Sequence, residues 1–198
     1  MIKAVIFDVG GVITKTKNVG GFRILAEKLN ISYDLILKTW KENNTKIHEH
    51  KMTVEDLLEI VKTQSKIRTD IVGAWENIYY ADIECDNDVL KIIEKLKDKY
   101  RLAIISNSAE FHSRLREKKG VYSHFDKVFL SHEVGIVKPQ KEIFEHALKE
   151  LKLKASECVF IDDKEENTAA AKHLGFETIN FKNAEQLATE LKKLGVSV

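Results

Sequence analysis

The stretch AVIFDVGGVI, residues 4–13, is apolar without a break from Ala4 to Phe7, stops on Asp8, and then passes through Gly10 and Gly11. An unbroken apolar run has no polar face to give to water. It therefore fits a strand covered on both sides, as in a parallel sheet, rather than an alternating strand with one wet face. A carboxylate at its end puts a charge where the chain leaves the sheet, and in open α/β sheets ligands bind beyond the carboxyl ends of the strands.

The first expected strand spans residues 4–9, and four later runs repeat the pattern: residues 102–107, 127–132, 158–163 and 177–181. Helical stripes separate them. Val89, Ile92, Ile93 and Leu96 share one face, as do Ile143, Phe144, Ala147, Leu148 and Leu151. Pro139, the only proline, stands just ahead of the second stripe, where a missing amide costs little. This alternation predicts an α/β fold, a doubly wound parallel-sheet (Rossmann-like) core. The segment between the first two strands differs. Phe22, Leu25, Ala26 and Leu29 form one helical stripe, Val54, Leu57, Leu58 and Val61 a second behind a Thr53–Asp56 cap, and Ile71, Ala74, Trp75 and Ile78 a third. The expected organisation is a core of residues 1–13 and 89–198 and an inserted helical-bundle cap of residues 14–88.

Lys and Arg number 32 against 31 Asp and Glu in 198 residues, so no strong net field draws the chain to nucleic acid or to a membrane surface. Basic clusters such as residues 91–99 are interleaved with acids and read as solvated helix faces. Cys85 and Cys158 are isolated, which fits a reducing, cytoplasmic setting. No signal peptide or bilayer-spanning run is evident, since Asp8 interrupts the first apolar stretch.

Polar residues gather at the expected strand ends: Asp8, Ser106 with Asn107, Ser131, and Asp162 with Asp163. Serines there are ordinary caps and turn formers, and Ser108 and Ser131 are read so. The aspartates are different, because carboxylates after buried strands crowd negative charge that needs a cation. Mg²⁺ with hard oxygen ligands answers that need.

The chain resembles the haloacid dehalogenase-like hydrolases over nearly its whole length. IFDVGGVI is similar to the family's first motif, AIISNS to the second, GIVKPQKEIFEHAL to the third and VFIDDKEENTAAAKHLG to the fourth, in family order. The insertion resembles the family's C1-type cap. The resemblance implies that Asp8 is the nucleophile, forming an aspartyl-phosphate, and that Ser106 and the amides near Asn107 hold phosphate oxygens. It also implies that Lys138 sits between nucleophile and phosphate. Mg²⁺ would take Asp8, the Gly10 carbonyl and an acid of the fourth motif, with Asp163 the direct ligand and Asp162 its neighbour.

One position departs from the family's phosphatases. The second aspartate, which protonates the leaving alcohol and later activates water, is Gly10 here. Its loss typically removes about 10²–10⁴ in rate. Thr14, His48 and His50 are candidates for a substitute. Three readings follow: an Mg²⁺-dependent phosphatase of a small phosphorylated metabolite, a phosphate-binding regulatory protein on the same fold, and a metal-free dehalogenase, against which the Asp162–Asp163 pair argues.

Overall fold

The protein was analysed as a computed structural model, which describes residues 1–15 and 18–198. The chain order is β1 (Ala4–Phe7), α1 (Asn18–Leu29), α2 (Tyr33–His48), α3 (Val54–Ser65), α4 (Ile71–Asp82), α5 (Asn87–Leu96) and β2 (Arg101–Ser106). It continues through α6 (Glu110–Lys118), β3 (Lys127–Leu130), α7 (Ser131–Val134), α8 (Lys141–Leu151), β4 (Cys158–Asp162), α9 (Glu165–His173), β5 (Glu177–Asn180) and α10 (Ala184–Lys193).

All strand pairs are parallel, in the order β3-β2-β1-β4-β5. β1 lies in the middle, Val5 pairing with Leu102 on one side and Val159 on the other. All of its residues are buried, which is why its sequence has no polar alternation. Side chains of alternate parity feed two cores. Val5, Phe7, Ile104 and Ile161 pack with α5 and α10, while Ile6, Ile105 and Phe160 pack with Phe144 and Ala147 of α8. The strands are shorter than the sequence suggests. β1 ends at Phe7, although Asp8 N–H still donates to Ile161 O at 2.8 Å. β3 ends at Leu130, because Ser131 opens a single helical turn closed by Gly135 at φ 75°.

No strand of the sheet interrupts α1–α4 among the described residues. Each of these helices packs on the next, and α1 returns to α4. Phe22 stacks on Trp75 at 4.7 Å between centroids, with Trp40 5.4 Å from Phe22. Thr53 and Asp56 form the reciprocal cap their spacing suggests. The chain enters and leaves this helical segment side by side: Lys15 N–H donates to Glu84 O at 2.9 Å and Asp86 N–H to Ile13 O at 2.8 Å. We propose on that basis that the boundary between core and cap lies near the limits read from the sequence, residues 14 and 88.

His112 ties α6 to α4. It is buried, its Nε2 accepts from Trp75 Nε1–H at 3.3 Å, and its ring lies 4.2 Å from Tyr79. Burial, with the nearby Arg116 and His48, holds its pKa well below the usual histidine value.

Two outcomes are expected from this packing. A Cβ on Gly21 would fall 2.8 Å from the Trp75 ring. Gly21→Ala should therefore be net destabilising in urea unfolding, since overpacking costs about 1–3 kcal/mol and the helix gain is only about 0.5–1. For His112, the unfolded chain takes up a proton near pH 6.5 while the folded chain does not. Stability should then fall on acidification below about pH 6.5, by up to about 1.4 kcal/mol per pH unit for each such histidine. His112→Phe should lower stability at pH 8, where Trp75 loses its acceptor, and flatten the slope between pH 7 and 5. Urea midpoints across that range measure both effects.

Candidate active site

Three strands and one loop deliver the polar groups to a single rim. β1 ends before Asp8, β2 ends on Ser106 and β4 ends on Asp162, so the parallel register brings these residues together. Lys138 reaches them from the loop before α8. Asn107 fixes that loop: its Nδ2–H donates to Lys138 O at 2.9 Å, and Lys138 N–H donates to Asn107 Oδ1 at 2.8 Å. The Lys138–Pro139 peptide is cis. The Asn107 side chain is thus committed to the lysine's backbone, and what Asn107 retains for a ligand is its backbone amide.

Lys138 is 5% exposed, and its Nζ donates to Asp8 Oδ1 at 2.7 Å, Asp162 Oδ2 at 2.6 Å and Ile105 O at 2.9 Å. Burial works to discharge the ammonium, but Asp8 and Asp162 outweigh it and hold its pKa above the usual lysine value. Burial conversely pushes the Asp162 carboxyl up, against the pull of Lys138. Hydrogen bonds secure Asp162 further. Its Oδ1 accepts from Lys164 N–H at 2.9 Å, and both oxygens accept from Asn167 Nδ2 at 3.0 Å.

Asp163 lies at the edge of this cluster. Ligand oxygens of Asp8, Asp162 and Asp163 all fall within 4.8 Å of one another. A Cβ at Gly11 would come 2.5 Å from Asp163 Oδ2, and Gly11 has φ +91°. Only glycine lets the loop pass so close to that carboxylate. Three carboxylates around one ammonium leave surplus negative charge in a half-buried place, and their hard oxygens suit a divalent ion such as Mg²⁺. The residues present therefore fit the metal.

Beside this cluster is a cavity of about 420 Å³ whose lining includes Asp8, Gly10, Ser106 and Lys138. Helix α2 supplies Trp40, Asn44, Thr45 and His48 to its wall, and α6 supplies Arg116. Burial, then Lys164 and Arg116, lowers the His48 pKa to about 4, so its imidazole is neutral at pH 7. Of the three candidate substitutes for a second aspartate, only His48 lies here. Thr14 is buried, with its hydroxyl donating to Val9 O at 3.3 Å, and His50 lines a different pocket with Phe111 and Arg114. Ser108 and Ser131 bond to each other across β2 and β3: Ser108 N–H donates to Ser131 Oγ at 3.1 Å and Ser131 Oγ–H to Ser108 O at 3.3 Å.

Sequence reasoning named His48 but missed Trp40, Asn44 and Thr45 of α2, and Arg116, Lys164 and Asn167. A signal existed for one of them. The buried face of α6 carries His112, Ser113 and Arg116 among Phe111 and Leu115, a polar content that an ordinary core-facing stripe does not have.

A model of the haloacid dehalogenase-like hydrolases matches residues 2–175. The chain is 30% identical to a D-ribitol-5-phosphate phosphatase from Bacteroides thetaiotaomicron, over 96% of this chain and 97% of that one. It is 26% identical to a glyceraldehyde 3-phosphate phosphatase from Methanocaldococcus jannaschii, over 90% and 84%. Among solved structures, a HAD family enzyme from Bacteroides thetaiotaomicron superimposes with a TM-score of 0.81 at 21% identity, covering 96% of this chain and 98% of that one. A complex of the same enzyme with magnesium and inorganic phosphate gives 0.73 at 22% identity, covering 92% and 95%. Among the described residues no helix is long and apolar enough to cross a membrane. The parallel sheet, the acidic rim and these likenesses agree: the chain is a hydrolase and belongs to the haloacid dehalogenase-like family.

Proposed function

We propose that the chain is an Mg²⁺-dependent phosphatase of a small phosphorylated metabolite, working through an aspartyl-phosphate on Asp8. The observation that carries this reading is the buried Lys138 ammonium shared by Asp8 and Asp162, with Asp163 completing an acidic cluster at the same rim. The phosphatase relatives support phosphoester hydrolysis in general.

Asp8 attacks phosphorus; the ester P–O bond breaks, and its electron pair leaves on the departing oxygen. Water then attacks the aspartyl-phosphate, releasing phosphate and restoring the Asp8 carboxylate. Lys138 orients Asp8, and Ser106 with the amides near Asn107 holds phosphate oxygens. Asp8, the Gly10 carbonyl and Asp163 would hold Mg²⁺, and Asp162, whose oxygens already accept from Lys138, Lys164 and Asn167, supports them from behind. When bound, the ion supplies charge neutralisation at the transferring phosphate. His48 is the base that takes the proton of the attacking water, because it is neutral above about pH 4 and lines the cavity with Asp8.

Asp8→Asn should abolish Mg²⁺-dependent phosphate release in a folded protein, measured on acetyl phosphate and an aryl phosphate. Wild-type turnover by this variant would refute the aspartyl-phosphate and leave a phosphate-binding role as the better reading. Asp163→Asn should raise the Mg²⁺ concentration needed for half-maximal rate. His48→Asn should slow breakdown of the aspartyl-phosphate by about 10²–10⁴, seen as a burst with a slow steady state, and should remove the fall in rate that protonation of His48 imposes near pH 4. Lys138→Met leaves two buried carboxylates without their cation. It should cost about 3–5 kcal/mol of stability as well as activity, read by urea unfolding.

A further inference from the structure

Gly10 leaves space where the family's phosphatases carry a proton donor, and in this chain a cation faces that space. A Cβ on Gly10 would meet one neighbour, Arg116 Nη2, at 3.7 Å. Arg116 arrives from α6, is 7% exposed, and lines the cavity with Asp8. Its Nη1 donates to Ser108 Oγ at 3.3 Å, while its Nε is buried with no hydrogen-bond partner among the described residues. Two phenols, Tyr79 and Tyr122, stand against it as neutral neighbours. Burial pushes both phenols up, Tyr122 to about 12, so neither offers the guanidinium a negative charge. A buried guanidinium that is bonded to uncharged hydroxyls and lines a cavity suits an anion.

We propose that Arg116 stabilises the negative charge that develops on the leaving oxygen, so that the preferred substrates are those whose leaving group departs as a stable anion, acyl phosphates first among them. The inference rests on the Asp8 phosphatase reading. The Asp8–P bond forms, the P–O bond to the acyl group breaks, and the electron pair stays on oxygen as a carboxylate, which pairs with Arg116. No proton is transferred in that step. Arginine keeps its protons at any working pH, so it stabilises the anion without acting as an acid. His48, neutral at pH 7, cannot protonate the leaving group either, and its role is confined to the later attack of water. Alcohol phosphates, whose alkoxides leave poorly without a proton, are disfavoured. The same geometry bears on restoring the family's carboxyl at position 10. Gly10→Asp would place a carboxylate against the Arg116 guanidinium, and the two would pair rather than yield a proton donor.

The test is the leaving-group dependence of kcat/KM with Mg²⁺, using acetyl phosphate, 4-nitrophenyl phosphate, phenyl phosphate and glycerol 1-phosphate. Wild type should decline by about 10² or more from acetyl phosphate to glycerol 1-phosphate, the span a missing general acid imposes. Arg116→Met should steepen that decline, with losses of about 10²–10³ on phenyl phosphate and smaller ones on acetyl phosphate. Gly10→Asp alone should gain little on glycerol 1-phosphate, and Gly10→Asp combined with Arg116→Met should gain at least about 10-fold. Equal wild-type rates on acetyl phosphate and glycerol 1-phosphate would overturn the inference, as would an equal loss on every substrate in Arg116→Met. A large gain from Gly10→Asp alone would overturn it too, and that arm leaves Arg116 in place. Absence of Asp8-dependent phosphate release from all the probes would instead refute the phosphatase reading, and the inference with it.

Discussion

The site depends on one ammonium. Lys138 Nζ stands between Asp8 and Asp162, buried with both of them. The ion pairs are short, and the lysine's third donor is satisfied by Ile105 O. Such an arrangement adds little net stability over an apolar core, since desolvation offsets most of the attraction. What it fixes is position: the carboxylate that follows β1 is oriented and held beside the end of β4.

Several features of the fold exist around that contact. The parallel register sets the ends of β1 and β4 side by side. Asn107, at the end of β2, grips the Lys138 backbone from both sides, so the lysine is delivered by the sheet as much as by its own loop. Gly11, at positive φ, lets the loop after β1 pass against Asp163. The surplus of carboxylate over ammonium makes the rim a place for a divalent cation.

The helices between β1 and β2 reach this rim. Helix α2 supplies Trp40, Asn44, Thr45 and His48 to the cavity, and the stacked Phe22 and Trp75 anchor its neighbours. His112 accepts from Trp75 and lies four residues before Arg116 on α6. The helix that packs on α4 therefore also carries the guanidinium beside Gly10. A glycine at that position and a buried arginine opposite it are one arrangement, in which a fixed positive charge stands where the family's phosphatases place a carboxyl.

The sequence by itself determined the class of fold and which polar residues stand at the strand ends. Continuous apolar runs fix a doubly covered parallel sheet because no other surface accommodates strands without a polar face. Asp8, Ser106, Asn107, Asp162 and Asp163 could be named because strand ends are local features, legible from neighbours in the chain. Lys138 was legible from its motif, though its full burial was not. The strand limits were overestimated, since Ser131 continues an apolar run into a helical turn. The division of labour between Asn107's side chain and its amide, the placement of His48 but not His50 or Thr14 at the cavity, and the approach of Arg116 to Gly10 came only from tertiary structure. The physical reason is distance along the chain: Arg116 and Gly10 are remote in sequence, and nothing in the local pattern of either says which buried surface it will meet. Packing of α6 against α4 decides it.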